Sequence, residues 1–397
     1  MNTVFLEPLD VLFLRGNKLF GEAGSFGESL VPPWPSVAAG ALRSRLLADA
    51  GVDRVDFANG HIEHPELGTP STPGAFTVTA FHLAQRRANG AVDLLMAPPA
   101  DLVVSKGDEG GLHVRALAPT ALNGRSLASS APLPLMPVLP EPTRSKPEGG
   151  LWLTESGWRT YLAGLIPGPD QFLPASALWT LDTRVGVGLS AEMRRADDGK
   201  LFAVQAVAMV KRGMPLPLRG GFRQPADYDV GFLAAVAGAQ TPRSGTLRLG
   251  GDGRAAAVHA IDKPLPQPDY AAIVRAGRCR LVLTTPGLFV QGWLPTGMSQ
   301  RVDGSYRFEL HGVSGRFVCA AVSRTEVVSG WDLAQRRPKP AQSAAPAGSV
   351  YWLDELQTSP EALAKLVERG LWSDICEDEA RRAEGFNRVA IAPWTQF

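Results

Sequence analysis

The sequence predicts an α+β fold: two sandwiches of the ferredoxin-like kind, enlarged by long loops and β-hairpin insertions. Three observations carry that prediction. Glycine (42) and proline (33) make up about 19% of the 397 residues, against roughly 12% in an average protein, and so many breakers interrupt any helix bundle or coiled coil. Apolar residues are 45% of the chain and charged residues 20%, with 40 Lys+Arg against 39 Asp+Glu, a globular and not a disordered composition. The two halves also follow one plan: an opening strand, a helix, and a late glycine-containing turn leading into a strand. At about 100–200 residues per domain, the length corresponds to two domains. The near-neutral balance argues against a protein that coats nucleic acid nonspecifically, which needs many excess cations. Local basic grooves remain compatible with it.

Residues 3–14 are rich in Val, Leu and Phe and end at Arg15-Gly16-Asn17, which reads as a buried strand followed by a turn. Glu7 and Asp10 inside that stretch, with no basic n-region, mark a first strand and not a signal peptide. After a Gly/Ser/Pro-rich loop, Ser36 is placed to cap a helix from Val37 to Ala48. Strands follow at 75–84, 101–105 and 112–116, then a proline-rich, loop-like insertion at 117–150 and a short helix from Thr154 to Leu165. Residues 183–210 form two strands around a charged excursion, a long β-hairpin, and 246–261 form two more around Gly250-Gly251-Asp252-Gly253. The stretch 262–270, with Pro264, Pro266 and Pro268, is the linker between a first domain (1–262) and a second (270–397). The second opens with a strand at 278–284 and continues with strands at 307–313 and 316–322 around Gly312 and Gly315. A helix begins at Ser359-Pro360-Glu361 and ends at Gly370, and the chain closes with a turn at Gly385 and a final strand.

Signatures of catalysis are missing: no P-loop, HExxH, GxSxG or kinase motif is present. His61 and His64 flank Glu63 without further nearby ligands, so no metal is expected, and no cofactor either. Asp197-Asp198 reads as a turn. Cys279, Cys319 and Cys376, odd in number and without a CxxC, fit reduced thiols in the cytoplasm. With no run of about 18 apolar residues, no membrane span is expected.

Three regions have the chemistry of ligand contact. At Gly250, Gly251, Gly253 and Arg254, glycines let backbone amides approach a phosphate and the arginine adds a charge-assisted fork; an ordinary hairpin turn is the alternative. Gly385-Phe386-Asn387, with Arg381 and Arg382 upstream, is either a second such loop or a helix C-cap. The segment 183–223 carries eight cations, among them Arg184, Arg194 and Arg195, against three acids, whereas 51–110 and 351–385 are acidic. A basic hairpin on a neutral body suits a short stretch of nucleic-acid backbone; a solvated hairpin is the alternative.

Taken together, EPLDVLFLRGNKLF at 7–20, VAAGALR at 37–43, RVGVGLSAEMRRADDGKLF at 184–202, LGGDGR at 249–254, TPGLFVQGWLP at 285–295, GWDLAQRRPKP at 330–340 and PAGSVYW at 346–352 resemble the RAMP superfamily of CRISPR effector complexes. Within it, the series is similar to the family of third subunits of the type III-B Cmr complex. The resemblance implies two ferredoxin-like (RRM-related) domains, no catalytic activity and a cytoplasmic ribonucleoprotein. It implies three partners: the 5′ tag of the CRISPR RNA, the large polymerase/cyclase-like subunit and the first backbone RAMP subunit. It carries RNA contact to Arg15, Lys18 and Arg43, to a thumb-like hairpin bearing Arg184, Arg194 and Arg195, and to the two glycine loops. The late loop departs from the family pattern in having one glycine, Gly385, where several are usual. GWDLAQRRPKP is read as a protein-contact loop or as a buried Trp331 with a solvated basic tail. The competing functions are a metal-free CRISPR-RNA-processing endoribonuclease with a histidine as general base, and an adaptor that touches no RNA.

Overall fold

The computed structural model describes residues 2–16, 26–107, 111–122, 132–141, 146–190, 192–217 and 223–394. It is a mixed α+β structure, rich in strands, with several sheets and few helices. The chain folds into two compact units that are not consecutive stretches of sequence. One comprises Met1–Leu94, Ala175–Lys263 and Val327–Gln342; the other comprises Leu95–Pro174, Pro264–Glu326 and Ser343–Phe397. The proline-rich linker stretch thus holds one of the crossings between units, at Lys263–Pro264. The other crossings have no compositional mark, because strand pairing and not linker chemistry decides them.

In the first unit the strands Thr77–Arg87, Tyr228–Ala237, Asn2–Pro8, Ala255–Ile261 and Thr246–Arg248 lie side by side in that order, antiparallel throughout. Numbered along the chain, the four long strands stand in the order 2-3-1-4. The central strand Tyr228–Ala237 is buried at every residue but the last. A strand covered on both faces shows no alternation, so periodicity does not reveal it. Gly231 in its middle is required by packing: a Cβ there would stand 2.4 Å from the Leu6 carbonyl oxygen and 2.7 Å from the Phe5 ring. The helix runs Pro35–Asp49, starting two residues earlier than the sequence predicts. Pro35 occupies its first turn, where the missing N–H costs nothing and the fixed φ is already helical. Ser36 therefore lies inside the helix and Trp34 takes the cap position without a side-chain bond.

The second unit has the sheet order Met298–Gln300, Tyr306–Leu310, Val313–Ala321, Val350–Gln357, Cys279–Leu283 and Val389–Pro393. Its last four strands, from Val313–Ala321 to Val389–Pro393, repeat the order 2-3-1-4, again antiparallel. The turn expected around Gly312 and Gly315 is the pair His311-Gly312, both left-handed at φ 51 and 82, as a two-residue hairpin turn of the I′ kind demands. Gly315 lies inside the following strand. The helix Pro360–Arg369 is capped as its sequence predicts: Ser359 Oγ accepts from the Ala362 N–H at 3.2 Å, and Gly370 ends it. Leu363 and Leu366 on that helix join Leu281, Phe317, Tyr351 and Ile391 in the core. The segment 117–150, expected as loop, contains a two-stranded pair, Ala118–Thr120 with Met136–Val138. Asp197 and Asp198 belong to the strand Ala196–Met209 and not to a turn.

One buried ion pair ties this unit's early segment to its sheet. Asp101, fully buried, accepts from Arg280 Nη1 at 2.6 Å and from the Tyr161 hydroxyl at 3.0 Å. The Arg280 guanidinium lies 4.3 Å from the centre of the Tyr161 ring, and its Nε donates to the Pro393 carbonyl at 2.9 Å. Burial above all pushes the Tyr161 hydroxyl well above the usual phenol range. The Cys279 and Cys319 thiols, both buried, are likewise pushed up to about 12, so neither is reactive near neutral pH.

Because removing one partner leaves a carboxylate buried and unpaired, Arg280→Leu is expected to destabilise the chain by about 3–5 kcal/mol. Denaturant unfolding of the purified protein measures this, and the double variant Arg280→Leu, Asp101→Leu should recover part of the loss.

Candidate nucleic-acid interface

The basic hairpin has one strand, Trp179–Leu189, exposed along most of its length. Its strands Trp179–Leu189 and Ala196–Met209 pair from Trp179↔Met209 to Val187↔Leu201, then shift register to Leu189↔Ala196. The shift is a β-bulge, which twists the end of the ribbon. At the root, Leu12 and Val207 exchange backbone hydrogen bonds, both at 2.8 Å. Ser29 adds two more to Gln205, one from its N–H to Oε1 and one from its hydroxyl to the carbonyl.

Strand alternation gives the ribbon two unlike faces. On one, Val204 and Ala206 pack on Phe13, with Phe202 and Val11 beside them. Arg184 shares that face, its Nε donating to Asp182 Oδ2 at 3.0 Å. The other face turns Leu181, Val185, Val187, Leu189 and Leu201 to solvent. Arg194 and Arg195 stand exposed at the tip. Arg194 is left-handed at φ 50, and its N–H donates to the Ser190 carbonyl at 2.9 Å.

The glycine-rich turn docks on the segment that follows the first strand. Gly251 donates its N–H to the Phe13 carbonyl at 2.8 Å. Gly250 is left-handed at φ 77, and a Cβ on it would stand 2.8 Å from that same oxygen. Arg254 Nη1 reaches Asp10 Oδ2 at 2.8 Å while its guanidinium lies 5.1 Å from the centre of the Phe13 ring. Arg15 faces Asp252 at 3.5 Å. The turn, the segment 10–15 and the hairpin root therefore share one anchor, Phe13. The amide of Gly251 is already committed to it, which leaves Arg254 and Arg15, in exchangeable pairs at the surface, as this region's cationic groups. Arg43 lies on the helix Pro35–Asp49 with its guanidinium 5.1 Å from the centre of the Phe76 ring. Lys18 lies outside the described residues.

The late loop is an interior joint of the second unit. Gly385, at φ 93, is the C-cap of the helix Glu379–Glu384, its N–H bonding to the Arg381 and Arg382 carbonyls. Phe386 and Asn387 are fully buried. Asn387 Oδ1 accepts from the Leu288 N–H at 2.6 Å, and its amide donates to the Leu288 and Leu371 carbonyls. Arg388 beside them is buried too, and that burial lowers its pKa to about 10. The helix C-cap is the geometry present here.

One cluster has no local signature in the sequence. On one face of the first sheet, Glu7 meets Lys211 Nζ at 3.1 Å, His259 Nε2 at 2.9 Å and Arg86 Nη1 at 3.6 Å. Next to it Asp229, buried, accepts from Arg212 N and Nε at 3.0 and 2.9 Å. Glu7 is separated from Lys211 by 204 residues and from His259 by 252. Only the sheet register, Phe5 opposite His259 and Asp229 opposite Arg86, brings them together. His64, considered above for a metal, instead accepts the Glu66 and Leu67 N–H groups at Nδ1. No group of three or more metal-ligating side chains occurs among the described residues, and among them no helix is long and apolar enough to cross a membrane.

Comparison with known proteins bears on the whole chain. Residues 4–394 match the family described as CRISPR-associated protein (Cas_Cmr3). No curated protein matches the sequence. Among solved structures, the chain is similar to one in the type III-B Cmr-beta complex bound to cognate target RNA, with 13% identity and a TM-score of 0.43, covering 88% of this chain and 86% of that one. A second, from Cmr-beta bound to cognate target RNA and AMPPnP, has 13% identity and a TM-score of 0.44, with 99% of each chain covered.

Two outcomes follow from this geometry. Gly250→Ala forces a Cβ against the Phe13 carbonyl at a left-handed residue, so a loss of about 1–3 kcal/mol in denaturant unfolding is expected. Burial lowers the His82 pKa from 6.5 to about 4. The unfolded chain then takes up this proton first, so the contribution is complete above pH 6.5 and is lost as pH falls toward 4. At pH 5 this amounts to about 2 kcal/mol, and His82→Gln should remove that part of the difference between unfolding at pH 7 and pH 5.

Proposed function

The chain belongs to the Cas_Cmr3 family of CRISPR-associated proteins, and from that premise we propose that it is a non-catalytic, cytoplasmic subunit of an RNA-guided Cmr effector complex. In this reading the first unit holds the 5′ tag of the CRISPR RNA. The protein also bridges the large polymerase/cyclase-like subunit to the first backbone RAMP subunit. Each sheet is read as a ferredoxin-like unit, supported by the shared order 2-3-1-4 with strands 1 and 3 adjacent at its centre.

The observation that carries the reading is the hairpin: two exposed arginines at its tip, and its root and the glycine-rich turn both packed on Phe13. Holding a short single strand calls for cations along a rigid ridge and for surfaces against which bases can be splayed. Arg184, Arg194 and Arg195 supply the charge, with Arg15 and Arg254 at the base. A few phosphates need no large excess of charge, which suits a chain that is nearly neutral overall. The outward apolar face of the hairpin supports the bridging role, since contiguous apolar surface of this kind marks a contact with another macromolecule.

Replacing Arg194 and Arg195 together by alanine is expected to impair assembly of the complex on tagged guide RNA and to expose the tag to nuclease. Normal assembly and full tag protection in that variant would remove the hairpin from the account. The endoribonuclease reading gains one specific observation, because His259 is hydrogen-bonded to Glu7 with Lys211 on the same carboxylate. Incubating the wild-type chain and His259→Ala with repeat RNA separates the readings. No cleavage by either is the expected result, whereas cleavage that disappears with His259 would establish the enzyme.

A further inference from the structure

All nine tryptophans lie among the described residues, and Trp331 is the only exposed one, at 56% of its surface. That position excludes the buried alternative for the GWDLAQRRPKP segment. The indole stands on a small hairpin within Val327–Gln342, the segment that the second half of the chain contributes to the first unit. Its strands Trp331–Asp332 and Arg337–Pro338 pair with Trp331 opposite Pro338 and Asp332 opposite Arg337. Alternation puts Trp331 and Pro338 on one face and Asp332 with Arg337 on the other.

The hairpin is built and anchored. Val328 at its root is fully buried, and the Lys339 N–H donates to the Gly330 carbonyl at 2.9 Å. The Asp332 carboxylate accepts the N–H groups of Ala334 and Gln335 at 2.9 and 3.0 Å, closing the turn from within. Arg336 is held left-handed at φ 52, a conformation that glycine or asparagine adopts more readily. Arg336 and Arg337 are both exposed. Asp332 is the single acid of the segment, against Arg336, Arg337 and Lys339.

We propose that this hairpin is a single-stranded RNA contact in which Trp331 stacks one unpaired base while Arg336, at the turn, holds a phosphate beside it. The proposal rests on the reading that the chain holds guide RNA, and it names a second place where it does so. Stacking needs only an open π-face with cations nearby, and it tolerates any base. A protein partner that buried the indole would need a surround able to exclude water. Of the exposed residues that follow Trp331 in this segment, Leu333, Gln335, Arg336, Arg337, Pro338 and Pro340, half are polar or charged.

The test titrates the full-length chain with an eight-nucleotide oligouridylate, following tryptophan fluorescence and its salt dependence. Wild type should show quenching that Trp331→Ala abolishes. By anisotropy of a labelled oligonucleotide, Trp331→Ala should bind about tenfold more weakly, with Trp331→Phe recovering most of the affinity. Arg336→Ala should lower the slope of log affinity against log salt by about 0.7, the contribution of each phosphate neutralised on a single strand. Affinity of Trp331→Ala within twofold of wild type overturns the inference. If that variant instead loses association with a neighbouring subunit in the assembled complex, the hairpin is a protein contact and the inference falls on its own, leaving the functional reading intact. If wild type binds the oligonucleotide at no concentration, and Arg194→Ala with Arg195→Ala leaves tag protection unchanged, the functional reading falls with it.

Discussion

Phe13 is 5% exposed and serves three neighbours at once. Its carbonyl accepts the Gly251 N–H, its ring lies under the Arg254 guanidinium, and the same ring packs on Val204 and Ala206 of the hairpin. The glycine-rich turn, the base of the hairpin and the chain leaving the first strand are thereby held in fixed geometry around one side chain. A two-stranded ribbon is only marginally stable by itself, and here the short strand Phe26–Gly27 pairs with Ala203 and Val204 as a third. Packing on Phe13, reinforced by the paired backbone bonds between Leu12 and Val207, is what makes a rigid projection of it. The glycines serve this packing first: Gly250 is small because the Phe13 carbonyl is close.

The charges of the first unit are arranged as exchangeable pairs on that rigid base. Arg254 faces Asp10, Arg15 faces Asp252 and Arg184 faces Asp182, all at the surface. Exposed pairs of this kind contribute about 0–1 kcal/mol each, so a phosphate competing for the arginine displaces little. The Glu7 cluster is different in kind, with Lys211, His259 and Arg86 converging on one half-buried carboxylate. Cations poised in this way are pre-positioned without leaving the chain strongly basic, which reconciles a net charge of +1 with a proposed role in RNA contact.

Legibility in the sequence followed the physics of each signal. The helix Pro360–Arg369 and the hairpin pairs were legible because capping residues and turn glycines act locally. Tyr228–Ala237 was not, since burial on both faces erases alternation. Gly315 resembled a turn residue but lies in a strand close to the Asp354 carbonyl, a tertiary reason for a glycine. Residues 385–388 have the composition of a surface loop, yet Asn387 spends its whole side chain inside the second unit. The Glu7 cluster depends on register across hundreds of residues, and Trp331 on which of nine tryptophans the fold leaves outside. The family, by contrast, was legible from the ordered series of motifs along nearly the whole chain.

The central claim is that the first unit touches the 5′ end of the guide RNA. The most direct measurement places a photoreactive nucleotide at each tag position in turn, crosslinks within the assembled complex, and identifies the attached peptides by mass spectrometry. The account predicts crosslinks to peptides from the hairpin strands Trp179–Leu189 and Ala196–Met209 and from the glycine-rich turn. Crosslinks confined to other subunits at every tag position would contradict it.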